Sequence, residues 1–130
     1  MAQLHDIVFD CRHPASVARF WAAVLEGYDV APYDEAELAR LRANGIFDVN
    51  DDPSVLVERV DGGGPRLIFQ LVPEPKTVKN RVHLDVLADD LAAEGQRVLD
   101  LGARHLSDHD GFRVFADIED NEFCICRRKG

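Results

Sequence analysis

Cysteine is scarce in this chain: Cys11, Cys124 and Cys126 are the only three in 130 residues. They are too few and too unevenly spaced for a disulfide framework, so burial has to hold the fold together. Long apolar runs are missing as well, none approaching the roughly 18 residues of a membrane span. The opening MAQLHDIVFD has no basic segment followed by an apolar one, so the expectation is a cytoplasmic protein. Positive charge is also in short supply, with 15 Lys and Arg against 24 Asp and Glu, a net charge of −9. Residues 1–65 carry 12 acids and 5 bases, and residues 66–130 carry 12 and 10. Such a surface repels a phosphate backbone, which argues against nucleic acid as a partner. No Ser/His/Asp set, phosphate-binding loop or basic-aromatic patch is evident either.

What is present is a repeating pattern of short strands and amphipathic helices. LHDIVFDC at 4–11 reads as a strand whose alternation places His5, Ile7 and Phe9 on one face. A helix follows with Pro14 in its first turn. Val17, Phe20, Trp21, Val24 and Leu25 form its apolar stripe, and Gly27 stops it. Tyr28–Tyr33 reads as a short strand, 34–45 as a polar helix opened by Asp34, and DVNDDPS as a loop. Strands at Ser54–Val60 and Arg66–Val72 flank a DGGG turn. Pro73–Lys79, with two prolines and two lysines, reads as a linker.

The order then restarts. Arg81–Leu87 reads as a strand, followed by a helix capped by Asp89 or Asp90 that runs to Leu101 and stops at Gly102. Strands near 103–106, 112–116 and 122–128 complete the half. His5 and His83, 78 residues apart, each fall in the first strand of their half, which marks an internal repeat. Neither half covers its sheet alone, so the halves should pair.

Three stretches in this order resemble the vicinal-oxygen-chelate superfamily of glyoxalase I, extradiol dioxygenases and fosfomycin and bleomycin resistance proteins. HPASVARFWAAVLEGY resembles its first-helix motif, and RVHLDV the opening strand of its second module. FADIEDNEFCICR resembles the closing D-P-x-G-N-E-F hairpin of a glyoxalase-like subgroup, with Ile118 and Asp120 in place of Pro and Gly. The resemblance implies an α+β fold of two βαβββ modules forming a cupped eight-stranded mixed sheet in one domain, 1–130. Module one would span about 3–72, with 34–53 inserted, and module two about 81–130. It also implies a homodimer, with the insertion available as a lid.

Metal-using members take ligands from the first and last strand of each module, which here implies His5, Gln70, His83 and Cys124. That set suits a divalent ion such as zinc, or else forms the polar floor of a metal-free pocket also lined by Ile7 and Phe9. It has no carboxylate, which weighs against glyoxalase I and against the two-histidine, one-carboxylate site of an Fe(II) dioxygenase. Glu58 is the carboxylate in module one nominated as a base, against the plainer reading of a solvated strand face. His105 and His109 read as solvated residues of a polar loop, and Cys126 as a small buried hydrophobe beside Cys124. Two function classes remain. One is a lyase or isomerase acting on a small oxygenated metabolite. The other is a non-catalytic protein that sequesters a small, antibiotic-like, cationic ligand.

Overall fold

The computed structural model describes residues 1–129 and divides into two units, Met1–Pro75 and the chain from Lys76 onward. In module one the order is β1 (Asp6–Cys11), α1 (Pro14–Val24), β2 (Tyr28–Val30), α2 (Glu35–Ala43), a 3-10 turn at Val49–Asp51, β3 (Ser54–Arg59) and β4 (Arg66–Leu71). The sheet runs β1-β4-β3-β2, with β1 parallel to β4 and the other pairs antiparallel. Module two repeats it with β5 (Leu84–Ala88), α3 (Leu91–Asp100), β6 (Arg104–His109), β7 (Phe112–Ala116) and β8 (Glu122–Arg127). Its sheet runs β5-β8-β7-β6, with β5 parallel to β8. The two βαβββ units are therefore present, the first carrying 34–53 as an insertion. No helix among the described residues is long and apolar enough to cross a membrane.

In each module one face of the sheet is covered by the helix. The stripe expected on α1 is the one that buries: Val17 and Trp21 are fully inaccessible, with Phe20 and Val24 nearly so. They meet Val55, Val57, Leu67 and Phe69 from the sheet, where each buried side chain contributes about 1.5–3 kcal/mol. Phe9 joins this layer, its ring 5.0 Å from Phe69 and 6.0 Å from Trp21. Ile7 shares that side by strand alternation. Both were expected to line the pocket; both instead belong to the helix-covered side. After α1 the chain turns at Gly27, whose φ of +78° favours a residue without a side chain.

The insertion is tied to its own module. Arg19 on α1 donates to Asn50 (2.9 Å), and the stretch expected as pure loop contains the 3-10 turn. Asp52, only 3% exposed, accepts from the Tyr33 hydroxyl at 2.8 Å and from the Ser54 amide at 3.0 Å. Burial and the Asp52 carboxylate push the Tyr33 hydroxyl well above its usual 10. The folded chain thus keeps this proton where the unfolded chain loses it. The stabilisation is whole below pH 10 and declines as pH rises beyond it. Tyr33→Phe is expected to cost about 1–3 kcal/mol in urea denaturation at pH 7, because it strips a buried carboxylate of a donor. It should also flatten the alkaline loss of stability above pH 10.

The closing hairpin explains one departure from the motif. Asp120, standing where the motif has Gly, adopts φ +67°, a left-handed conformation that Asp tolerates better than most residues. The buried Asp117 carboxylate holds the turn by accepting from the Glu119 and Asn121 amides and from the Asn121 side chain.

Candidate functional site

The open face of module two is set by register. Asp85 pairs with Cys124 and Leu87 with Cys126 across the parallel β5–β8 ladder, and Val114 and Phe112 stand opposite these cysteines on β7. The alternate residues Phe115, Phe123 and Ile125 are buried on the other side. His83 immediately precedes β5, two residues before Asp85, so its side chain falls on the open face too. A cavity of about 500 Å³ lies over this face, within the range of small-molecule sites.

His83, Asp85 and Cys124 bring one nitrogen, one oxygen and one sulfur within 4.8 Å of one another. The His83 ring Nε2 lies 3.1 Å from Asp85 Oδ1. Burial, followed by the neighbouring Asp85 charge, pushes the Cys124 thiol up to about 11. Cys126 is raised for the same two reasons. Beside His83, across the β5–β8 ladder, the linker clamps Glu122: Lys79 forms an ion pair with its carboxylate, and Asn80 accepts from its amide. That lysine holds Glu122 below the ordinary carboxylate range and hence ionised.

Imidazole, carboxylate and thiolate are all first-row ligands, and donors around zinc stand about 3.5 Å apart. Small side-chain rotations bring three groups within 4.8 Å to that spacing, and three protein ligands leave a position for a ligand. The residues fit a zinc-like ion.

Of the residues singled out in the sequence, His83 and Cys124 come together. Asp85 was missed, and it supplies the carboxylate that the sequence-derived set lacked. Its signal was available, since His83-x-Asp85 shares one strand face and the parallel pairing lies opposite Cys124. His105 and His109 are exposed, as expected, but they lie in the strand β6 and not in a loop; His109 stacks on Phe112 at 4.6 Å and lines the cavity, while His105 packs edge-on against Phe115.

In module one, His5 precedes β1, is exposed, and lies 3.7 Å from Asp6. Gln70 stands on the open face opposite Asp10 and donates to its carboxylate at 2.6 Å. Glu58 lies on the same side by alternation, half-buried, beside Asp29 of β2. The two modules can be aligned through equivalent hydrogen bonds, Val72 to Cys11 and Arg128 to Ala88. In that register His83 corresponds to Asp6, Cys124 to Ile68 and Cys126 to Gln70. His5 corresponds to Val82. The 78-residue spacing is therefore one too long, and a one-residue slip exchanges the faces of a strand.

These two modules, each with a helix on one face of a four-stranded mixed sheet, define the glyoxalase/bleomycin resistance/dioxygenase class of fold. Residues 6–126 match the family described as glyoxalase-like domain, and the chain belongs to it. A glyoxalase/bleomycin resistance protein/dioxygenase family enzyme from Burkholderia phytofirmans is similar in structure, with a TM-score of 0.66 and 14% identity over 97% of this chain and 98% of that one. Fosfomycin resistance protein FosX from Mesorhizobium loti gives 0.65 and 16% over 97% and 91%. A glyoxalase-related enzyme from Fulvimarina pelagi gives 0.65 and 14% over 98% and 89%. At these identities the likeness is one of fold. No curated protein sequence matches the chain.

Proposed function

We propose that module two binds a divalent, zinc-like metal through His83, Asp85 and Cys124, and presents it to a small oxygenated molecule in the adjoining cavity. The observation that carries this reading is the convergence of three different donors within 4.8 Å on the open face. When bound, such an ion acts as a Lewis acid that polarises a ligand oxygen. The protein's own groups do the rest. The 3.1 Å contact between Asp85 and the His83 ring keeps these two donors side by side, and a bound ion would take its place. Lys79 keeps the Glu122 carboxylate ionised and turned to itself, so Glu122 sets the charge beside His83 without being free to serve as a strong base. Relatives whose names mark them as enzymes or resistance proteins make either catalysis or sequestration compatible with such a site.

The test is direct. Protein purified without a histidine tag and titrated with zinc against a chelating dye is expected to bind one ion per chain with a Kd below about 1 μM, about 8 kcal/mol of binding. Failure to compete with a weak dye would overturn the metal reading and leave the second one, a metal-free binding pocket. That reading draws support from Cys124, whose thiol stays protonated at neutral pH unless an ion displaces the proton.

A further inference from the structure

The register of module two divides the open face into three rows, and the rows differ in chemistry. His83, Glu122 and Ala116 make the first, Asp85, Cys124 and Val114 the second, and Leu87, Cys126, Phe112 and His109 the third. Successive rows stand two residues apart along the strands, about 6.7 Å. The polar donors occupy the first two rows. The third row holds no carboxylate or ammonium, and its Leu87 is 59% exposed. There the Phe112 and His109 rings stack face to face, 9° apart at 4.6 Å, which leaves Phe112 one free flat face, turned away from His109, as a shelf. The Ser107 hydroxyl, 2.9 Å from His109 Nε2, fixes the ring of His109 from the side.

We infer that the ligand of this site is a two-part molecule, with an oxygen-donor head at His83, Asp85 and Cys124 joined directly to a flat apolar body, one six-membered aromatic ring in size, that lies over Cys126 against the free face of Phe112. The spacing between the rows sets the size of the body, since a phenyl ring and its bond to the head span about one row. That free face sets its shape, because planar rings gain from offset stacking beyond the area they bury. The head rests on the metal reading given above; the body does not.

Two probes with the same chelating head and different bodies separate the parts. Zinc-loaded protein is expected to bind benzohydroxamate at least about tenfold more tightly than acetohydroxamate, a difference of about 1.4 kcal/mol. Phe112→Leu, which keeps apolar volume but loses the flat face, should reduce that preference to threefold or less and leave acetohydroxamate affinity unchanged. Equal affinities in the wild-type protein overturn the inference and leave the metal site standing. The body is also read without any metal: benzyl alcohol added to metal-free protein should shift the NMR signals of Phe112, Val114 and His109, and in the Phe112→Leu variant should leave those of Val114 and His109 in place. If zinc does not bind but these shifts occur, the metal reading fails and the shelf stands. If benzyl alcohol moves none of the three, the shelf is overturned whatever the zinc result.

Discussion

Trp21→Ala should destabilise module one by about 3–5 kcal/mol, the largest loss expected from any single truncation in α1. The indole is fully inaccessible, stacks on Phe9 and meets Phe20 edge-on at 5.5 Å, so its removal forfeits both buried area and two ring contacts. The cavity left behind lies between a helix and a sheet that share this one layer, and neither can collapse into it without breaking register. Urea denaturation followed by far-UV circular dichroism measures the loss. Phe47→Ala is the internal comparison: that ring is 81% exposed, and its removal should stay within about 0.5 kcal/mol. A loss below about 1 kcal/mol for Trp21→Ala would mean that the stripe on α1 does not carry the module.

His83→Ala should weaken zinc binding by about 100-fold or more. Losing an outer partner of a metal ligand already costs about 10–100-fold, and here one of three donors disappears. His83 is exposed, so its removal should leave the core intact, which unchanged circular dichroism would establish. His5→Ala and Gln70→Ala, measured alongside, read whether module one supplies donors as the family resemblance implies. A tenfold loss from either would extend the ligand set beyond the trio, and unchanged affinity would confine it to module two. Full zinc affinity in His83→Ala would remove the trio altogether.

The helices and most strands were legible because their signals are local. The α1 stripe recurs at helical spacing and is the stripe that buries; Asp34 and Asp90 cap α2 and α3 with side-chain acceptors, as their positions predict. The polar strand β6 was not legible past its first residues. Its sequence RHLSDH has no alternation to read, and pairing with β7 alone holds it as an edge strand. Register was the other gap. Both conspicuous histidines lie just outside their strands, where parity cannot be counted from composition. Only the backbone bonds of Cys11 and Ala88 show which residues correspond. Asp85 escaped notice for a related reason: what makes it a donor is its neighbour on β8, 39 positions away in the chain.

That correspondence between the modules bears on how the repeat diverged. A duplicated unit starts with two copies of every donor position, and the second copy is free to change. In module one the position of His83 is Asp6, locked in a two-pronged ion pair with Arg66 at 2.7 and 3.1 Å. The position of Cys124 is Ile68, and Asp10 is occupied by the Gln70 amide. Counting Val8 at the position of Asp85, one of the three counterparts in module one is polar, and Arg66 takes it up, while module two keeps His83, Asp85 and Cys124 gathered around a common point. Selection on this chain should therefore fall unevenly across the repeat. In module one's face a change at Asp6 alone would leave Arg66 without its ion pair, whereas in module two the constraint would come from the metal site proposed above.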